Sequence, residues 1–126
     1  MSLNNIFLNL YKKVERLSSA VFLVSNTISG SEELRTKIRH LAINLVSYCS
    51  IIKDNIPAEK IKLISKMEIT LIEMASFMDM ACLSGLVSPM NNSILKQEFD
   101  LLIKNLHELS KYSKGKIEIS NDFFKL

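Results

Sequence analysis

Arg35, Lys37 and Arg39 alternate through the segment Leu34-Arg35-Thr36-Lys37-Ile38-Arg39-His40, and with Arg16 they bring together every arginine of the chain. On a helix Arg35 and Arg39 stand one turn apart on one face. A guanidinium is a planar fork suited to carboxylate or phosphate, so this group is either an intramolecular salt-bridge set or a contact to a partner. Positive charge in the first turns of a helix opposes the macrodipole, which Glu32 and Glu33 partly offset. A second basic group is larger: Lys12, Lys13, Arg16, Lys53, Lys60, Lys62, Lys66, Lys111 and Lys114. Brought to one surface, these side chains could hold phosphates by counterion release; scattered, they are a solvated lysine-rich surface.

Catalytic and metal chemistry find little support. The chain has no Gly-rich phosphate loop, no Cys-x-x-Cys, no His-x-x-x-His and no Glu-x-x-His. His40 follows Arg39, and a cationic neighbour disfavours both protonation and metal binding. His107 stands beside Glu108, with no second histidine or acid placed with it by spacing. Both histidines read as surface or boundary residues. Cys49 and Cys82 each lie in an apolar stretch and read as two buried thiols of a reducing cytosol, against a disulfide or a metal pair. No catalytic residue, metal site or cofactor is expected.

The elements that must position these groups are helices. Leu3, Phe7, Leu10, Val14, Leu17, Val21, Val24 and Ile28 step by four and three. So do Leu34, Ile38, Leu41, Leu45, Tyr48 and Ile52; then Ile64, Met67, Leu71, Met74, Met78 and Ala81; then Leu95, Phe99, Leu102, Leu106 and Leu109. Such steps keep side chains on one stripe of a helix, and four stripes can close on a common core. Turn signals divide the chain at Ser29-Gly30-Ser31, Asp54-Asn55-Ile56-Pro57 and Gly85 to Pro89. Ser29 with Glu32 fits a capping box, Ser31 is a second N-cap, and Ser88-Pro89 starts the last helix. The spacing predicts helices over 3–28, 31–53, 57–84 and 89–113, with short connections that force an all-α, up-down-up-down antiparallel four-helix bundle over 1–115. A tail, 116–126, follows.

The chain has 126 residues, 48% of them hydrophobic and 23% charged, within the range of a single globular domain. No apolar run approaches the roughly 18 residues of a membrane span, and Met1 to Leu10 lacks a basic n-region and a small-residue cleavage pattern. A cytoplasmic protein is expected. In an antiparallel bundle, the start of the first helix shares one pole with the end of the second, the start of the third and the end of the fourth. That pole adds Lys104, Lys116 and Lys125 to the nine cations above, twelve in all, against seven acids (Glu15, Asp54, Glu59, Glu68, Glu108, Glu118, Asp122), a net +5. The four bases and six acids that remain leave the other pole at −2, and the chain at +3. Apolar residues also lie off the stripes: Ala42, Ile43, Val46 and Ile51 in the second helix, and Ile69, Ile72, Phe77, Met80, Cys82 and Leu83 in the third. A helix apolar on two faces is buried on two faces, which predicts self-association through this second surface.

Three stretches carry a family resemblance: Leu34 to Ile43, Leu83-Ser84-Gly85-Leu86-Val87-Ser88, and the amphipathic run Phe99 to Leu109 with its closing Asn105-Leu106. Together they make the chain similar to the four-helix proteins encoded in intervening sequences of bacterial 23S ribosomal RNA genes. They also resemble the related accessory variability determinant (Avd) proteins of diversity-generating retroelements. Where the intervening-sequence branch carries Asn-Ile-Ala-Glu-Gly, this chain reads Ser47-Tyr48-Cys49-Ser50-Ile51, which favours the Avd-like branch. The resemblance implies a ring-like homo-oligomer, a pentamer, that associates with a reverse transcriptase and its template RNA without catalysis of its own. The basic surface would then meet RNA, and Arg35, Lys37 and Arg39 the reverse transcriptase. The alternative is a structural, protein-binding scaffold with no nucleic-acid role.

Overall fold

The computed structural model describes residues 3–114, with side chains from residue 5. It holds four helices: α1 (Leu3–Ser25), α2 (Glu32–Ile51), α3 (Pro57–Leu83) and α4 (Pro89–Ser113). A single 3₁₀ turn, Ile52–Asp54, extends α2, and there is no strand among the described residues. The apolar stripes meet in one core. Every stripe residue whose side chain is described is buried except Val24, Leu34 and Tyr48, which are half-buried and pack against it. Phe99, Met67, Leu71, Met74 and Met78 are fully enclosed. The thioethers of α3 are unbranched and flexible, which suits them to the irregular space between four helices.

The helix ends follow the chemistry of their residues. At the start of α4 Ser88 Oγ accepts from Asn91 N–H at 3.1 Å, with Pro89 in the first turn. Pro57 opens α3 in the same way, although Ile56 before it has no capping side chain. The end of α3 is a Schellman turn: Leu86 N–H donates to Ala81 O at 2.8 Å and Gly85 N–H to Cys82 O at 3.0 Å. Gly85 adopts φ +77°, the left-handed region in which a side chain is strained.

Four boundaries differ from the expected ones: the ends of α1, α2 and α3, at 25, 51 and 83, and the start of α2, at 32. Helix α1 stops at Ser25 rather than Ile28, because the chain there tightens into successive turns closed by Asn26, Thr27 and Ile28 N–H. Ser25 Oγ also donates to the Phe22 carbonyl three residues back, at 2.7 Å, drawing a backbone acceptor out of the helical ladder. Ile28 still reaches the core. Helix α2 starts at Glu32, with Ser31 as its N-cap and no side-chain cap bond, so the Ser29–Glu32 box does not form. A further difference lies in the core: Ala42, expected on an outer apolar face, is fully buried.

Thr27 Oγ1 lies 2.8 Å from Leu86 O, tying the connection after α1 to the turn after α3. Along the helices, Ser18 Oγ donates to Ala42 O at 3.3 Å, and Asn92 Nδ2 to Asp79 Oδ1 at 2.9 Å. Helix α1 touches α4 far less than it touches α2, and less than α2 touches α3 or α3 touches α4. An alanine side chain at Gly85 would meet nothing within 4 Å, so its cost is conformational alone. Gly85→Ala is expected to lower the unfolding free energy by about 1 kcal/mol, seen as a drop of roughly 4 °C in the thermal midpoint.

Candidate nucleic-acid interface

The nine cations expected to meet nucleic acid divide by burial. Lys12, Arg16, Lys53, Lys62, Lys66, Lys111 and Lys114 are exposed, and Lys13 is half-buried. Lys60 differs. It is only 8% exposed, with its ammonium 5.0 Å from the centre of the Phe7 ring. Its stem packs as an apolar side chain while its charge faces the ring, so Lys60 joins α3 to α1 and presents no free cation to a phosphate. Lys66 Nζ lies 5.9 Å from the Tyr48 ring, and Lys62 Nζ pairs with Glu59 at 3.3 Å. Both remain open to water, where such contacts are weak.

The arginine group is engaged within the molecule. Arg39 Nε donates to Ser25 Oγ at 2.7 Å and its NH2 nitrogen to Asn26 Oδ1 at 2.5 Å, while the guanidinium lies 5.5 Å from the Phe22 ring. It is a clamp on the C-terminal end of α1, where a cation also suits the helix dipole. Arg35 pairs with Glu32, whose carboxyl is held below the usual carboxylate range, first by that hydrogen bond and then by the charges of Arg35 and Arg39. Of the expected salt-bridge set, Arg35 forms an ion pair with Glu32, whereas the hydrogen-bond partners of Arg39 are neutral. Lys37 is exposed.

Other polar groups come together that spacing did not disclose. Asp79 accepts from Asn92 and, at 3.2 Å, from Lys96 Nζ, and these bonds hold its carboxyl below the usual range. Glu68, half-buried on α3, has its carboxyl raised by burial, against the opposing fields of His107 and Lys114 on α4. Among the described residues no three or more of His, Cys, Asp and Glu come together as a metal-binding group. No helix among them is long and apolar enough to cross a membrane. Cys49 is buried and Cys82 half-buried, and both thiols are free.

Between α1 and α4 lies a cleft of about 300 Å³, lined by Lys13, Arg16, Leu17 and Ala20 on one side and by Ile94, Leu95, Glu98, Leu101, Leu102 and Asn105 on the other. A shallower groove between α1 and α2 is lined mainly by Phe22, Leu23, Ala42, Ile43 and Val46. Compared with known protein families, with curated proteins and with solved structures, the chain gives no match in any of the three.

The division of the lysines can be measured. Lys60→Gln is expected to lower the unfolding free energy by about 1 kcal/mol in a urea titration, because it removes a packed stem and a ring contact. Lys62→Gln, at an exposed pair, is expected to stay within about 0.5 kcal/mol. Burial pushes the Cys49 thiol up to about 12, so almost no thiolate exists at neutral pH. Iodoacetamide is therefore expected to label the native protein once, at Cys82, and the unfolded protein twice, as counted by mass spectrometry.

Proposed function

We propose that this protein is a non-enzymatic accessory protein that binds nucleic acid through one basic end of an up-down-up-down antiparallel bundle. The antiparallel order is supported by paired contacts: Ser18 with Ala42, Lys66 with Tyr48, and Asp79 with Asn92 and Lys96. In that order Lys53, Lys62, Lys111 and Lys114 lie toward one end, with Lys12, Lys13, Arg16 and Lys66 nearer the middle. This concentration of exposed cations is the observation that carries the reading. Lys60 is not counted with them, and Lys116 and Lys125 lie outside the described residues. The tail at 116–126 lies outside them as well.

The resemblance to Avd-like proteins supplies the particular partners: a reverse transcriptase and its template RNA, with the chain assembled as a pentameric ring in the cytoplasm. Exposed apolar side chains support self-association. Ile69, Ile72, Met80 and Leu83 fall at helical steps along α3, and Ile43 and Ile51 stand out on α2. The same residues favour a second reading, a scaffold that binds only protein. Lys37, which is exposed, would meet the reverse transcriptase together with Arg35 and Arg39, which are partly exposed and also make internal contacts.

If phosphates are held by these lysines, log affinity for single-stranded RNA is expected to fall with log salt by roughly 0.7 per neutralised phosphate. Gln at Lys12, Lys62 and Lys66 together is expected to flatten that slope while leaving the helical circular-dichroism signal unchanged. An unchanged slope, or no binding at low salt, would leave the scaffold reading. In light scattering, a single species at 14.3 kDa would count against the oligomer.

A further inference from the structure

The cleft between α1 and α4 has a feature that stability alone does not explain. Asn105 lines it, is 1% exposed, and has neither side-chain amide atom hydrogen-bonded. A buried amide without partners costs free energy, and an apolar residue of the same size would remove that cost. Asn9 Oδ1 is likewise buried without a partner, one helical turn before Lys13 on the α1 stripe that continues to Arg16 and Ala20. Asn92 Oδ1 is also without a partner, although its amide nitrogen is bonded to Asp79, so Asn105 is the amide among the described residues with both atoms buried and unpaired.

An asparagine side chain offers one acceptor and one donor side by side, the pattern that matches the N6 and N7 edge of adenine. Leu17, Ala20 and Leu102 provide apolar walls on both sides of a space the size of a small ligand pocket. Arg16, exposed at the same cleft, has no ion pair among the described residues and is placed for a phosphate; Glu98 on the α4 side can accept from an exocyclic amino group. We infer that the α1–α4 cleft receives an unstacked adenine base, with Asn105 reading its edge and Arg16 holding the adjoining phosphate. The inference rests on the nucleic-acid reading above and adds a base-selective pocket to it. Entry requires α1 and α4 to part, and theirs is the loosest contact between neighbouring helices.

The test compares an oligo(rA) strand with an abasic strand of equal length and charge, by fluorescence anisotropy, on the full chain and on Asn105→Leu and Asn105→Ala. AMP alone, followed through the side-chain amide signals of Asn105, separates a free nucleotide from a strand. Oligo(rA) is expected to bind about fivefold more tightly than the abasic strand, the low end of discrimination by one two-point base contact. Both variants are expected to lose that preference and keep the salt slope. Asn105→Leu is expected to melt at a higher temperature, which shows that the loss is not unfolding. Equal, salt-dependent binding of the two strands overturns the base pocket and leaves the nucleic-acid reading standing; if AMP still moves the Asn105 signals, the strand is excluded as the source of the base. Failure of both strands to bind at low salt overturns both.

Discussion

Four apolar stripes of this chain have to leave water together, and most other features of the molecule follow from that constraint. A helix with one apolar face gains little alone; its stability comes from the neighbour that covers the face. The stripe of each helix therefore sets its rotation, and the rotation decides which polar residues reach solvent and which meet another helix. Lys60 shows the effect within one turn: it lies next to the stripe of α3, so its stem is drawn in against Phe7 while Lys62 and Lys66 stay in water. Formal charge on the sequence is therefore a poor count of charge available at the surface.

The arginines make the same point from the other direction. Spacing shows that Arg35 and Arg39 share a helical face, but the groups that meet them are not equally visible. Glu32 is three residues away and could be read locally. Ser25, Asn26 and Phe22, which receive Arg39, lie on the preceding helix and its exit. A side chain whose chemistry suits a partner can be fully used inside its own fold.

What could be read from the residues was what repeats or punctuates. The stripes, the Ser88-Pro89 start and the Gly85 stop depend on near neighbours in the chain, and the structure places them as expected. The early end of α1 depends on local turns and the Ser25 hydroxyl, and the burial of Ala42 on what stands opposite, information that a stripe does not carry. The candidate site divides the same way. Exposed lysines were legible as charge, whereas the approach of Glu68 to His107 and Lys114 required the packing of α3 on α4. Asn105 was visible only as part of a resemblance, with Leu106: as a polar residue between Lys104 and Leu106 it looks like a surface position, and its burial without partners is a product of helix packing.

The hydrogen bond from Thr27 to Leu86 spans 59 residues of chain, and it joins two connections rather than two helices. Each connection is short and belongs to a local helix pair, so each pair can open and close as a unit. The bond couples those two openings. Fraying at the exit of α1 removes a partner from the carbonyl of Leu86, in the turn that ends α3, and disorder in that turn removes one from Thr27. The loops at this end are thus joined into one cooperative cap, and local unfolding there involves the α1–α2 and α3–α4 pairs together rather than either alone.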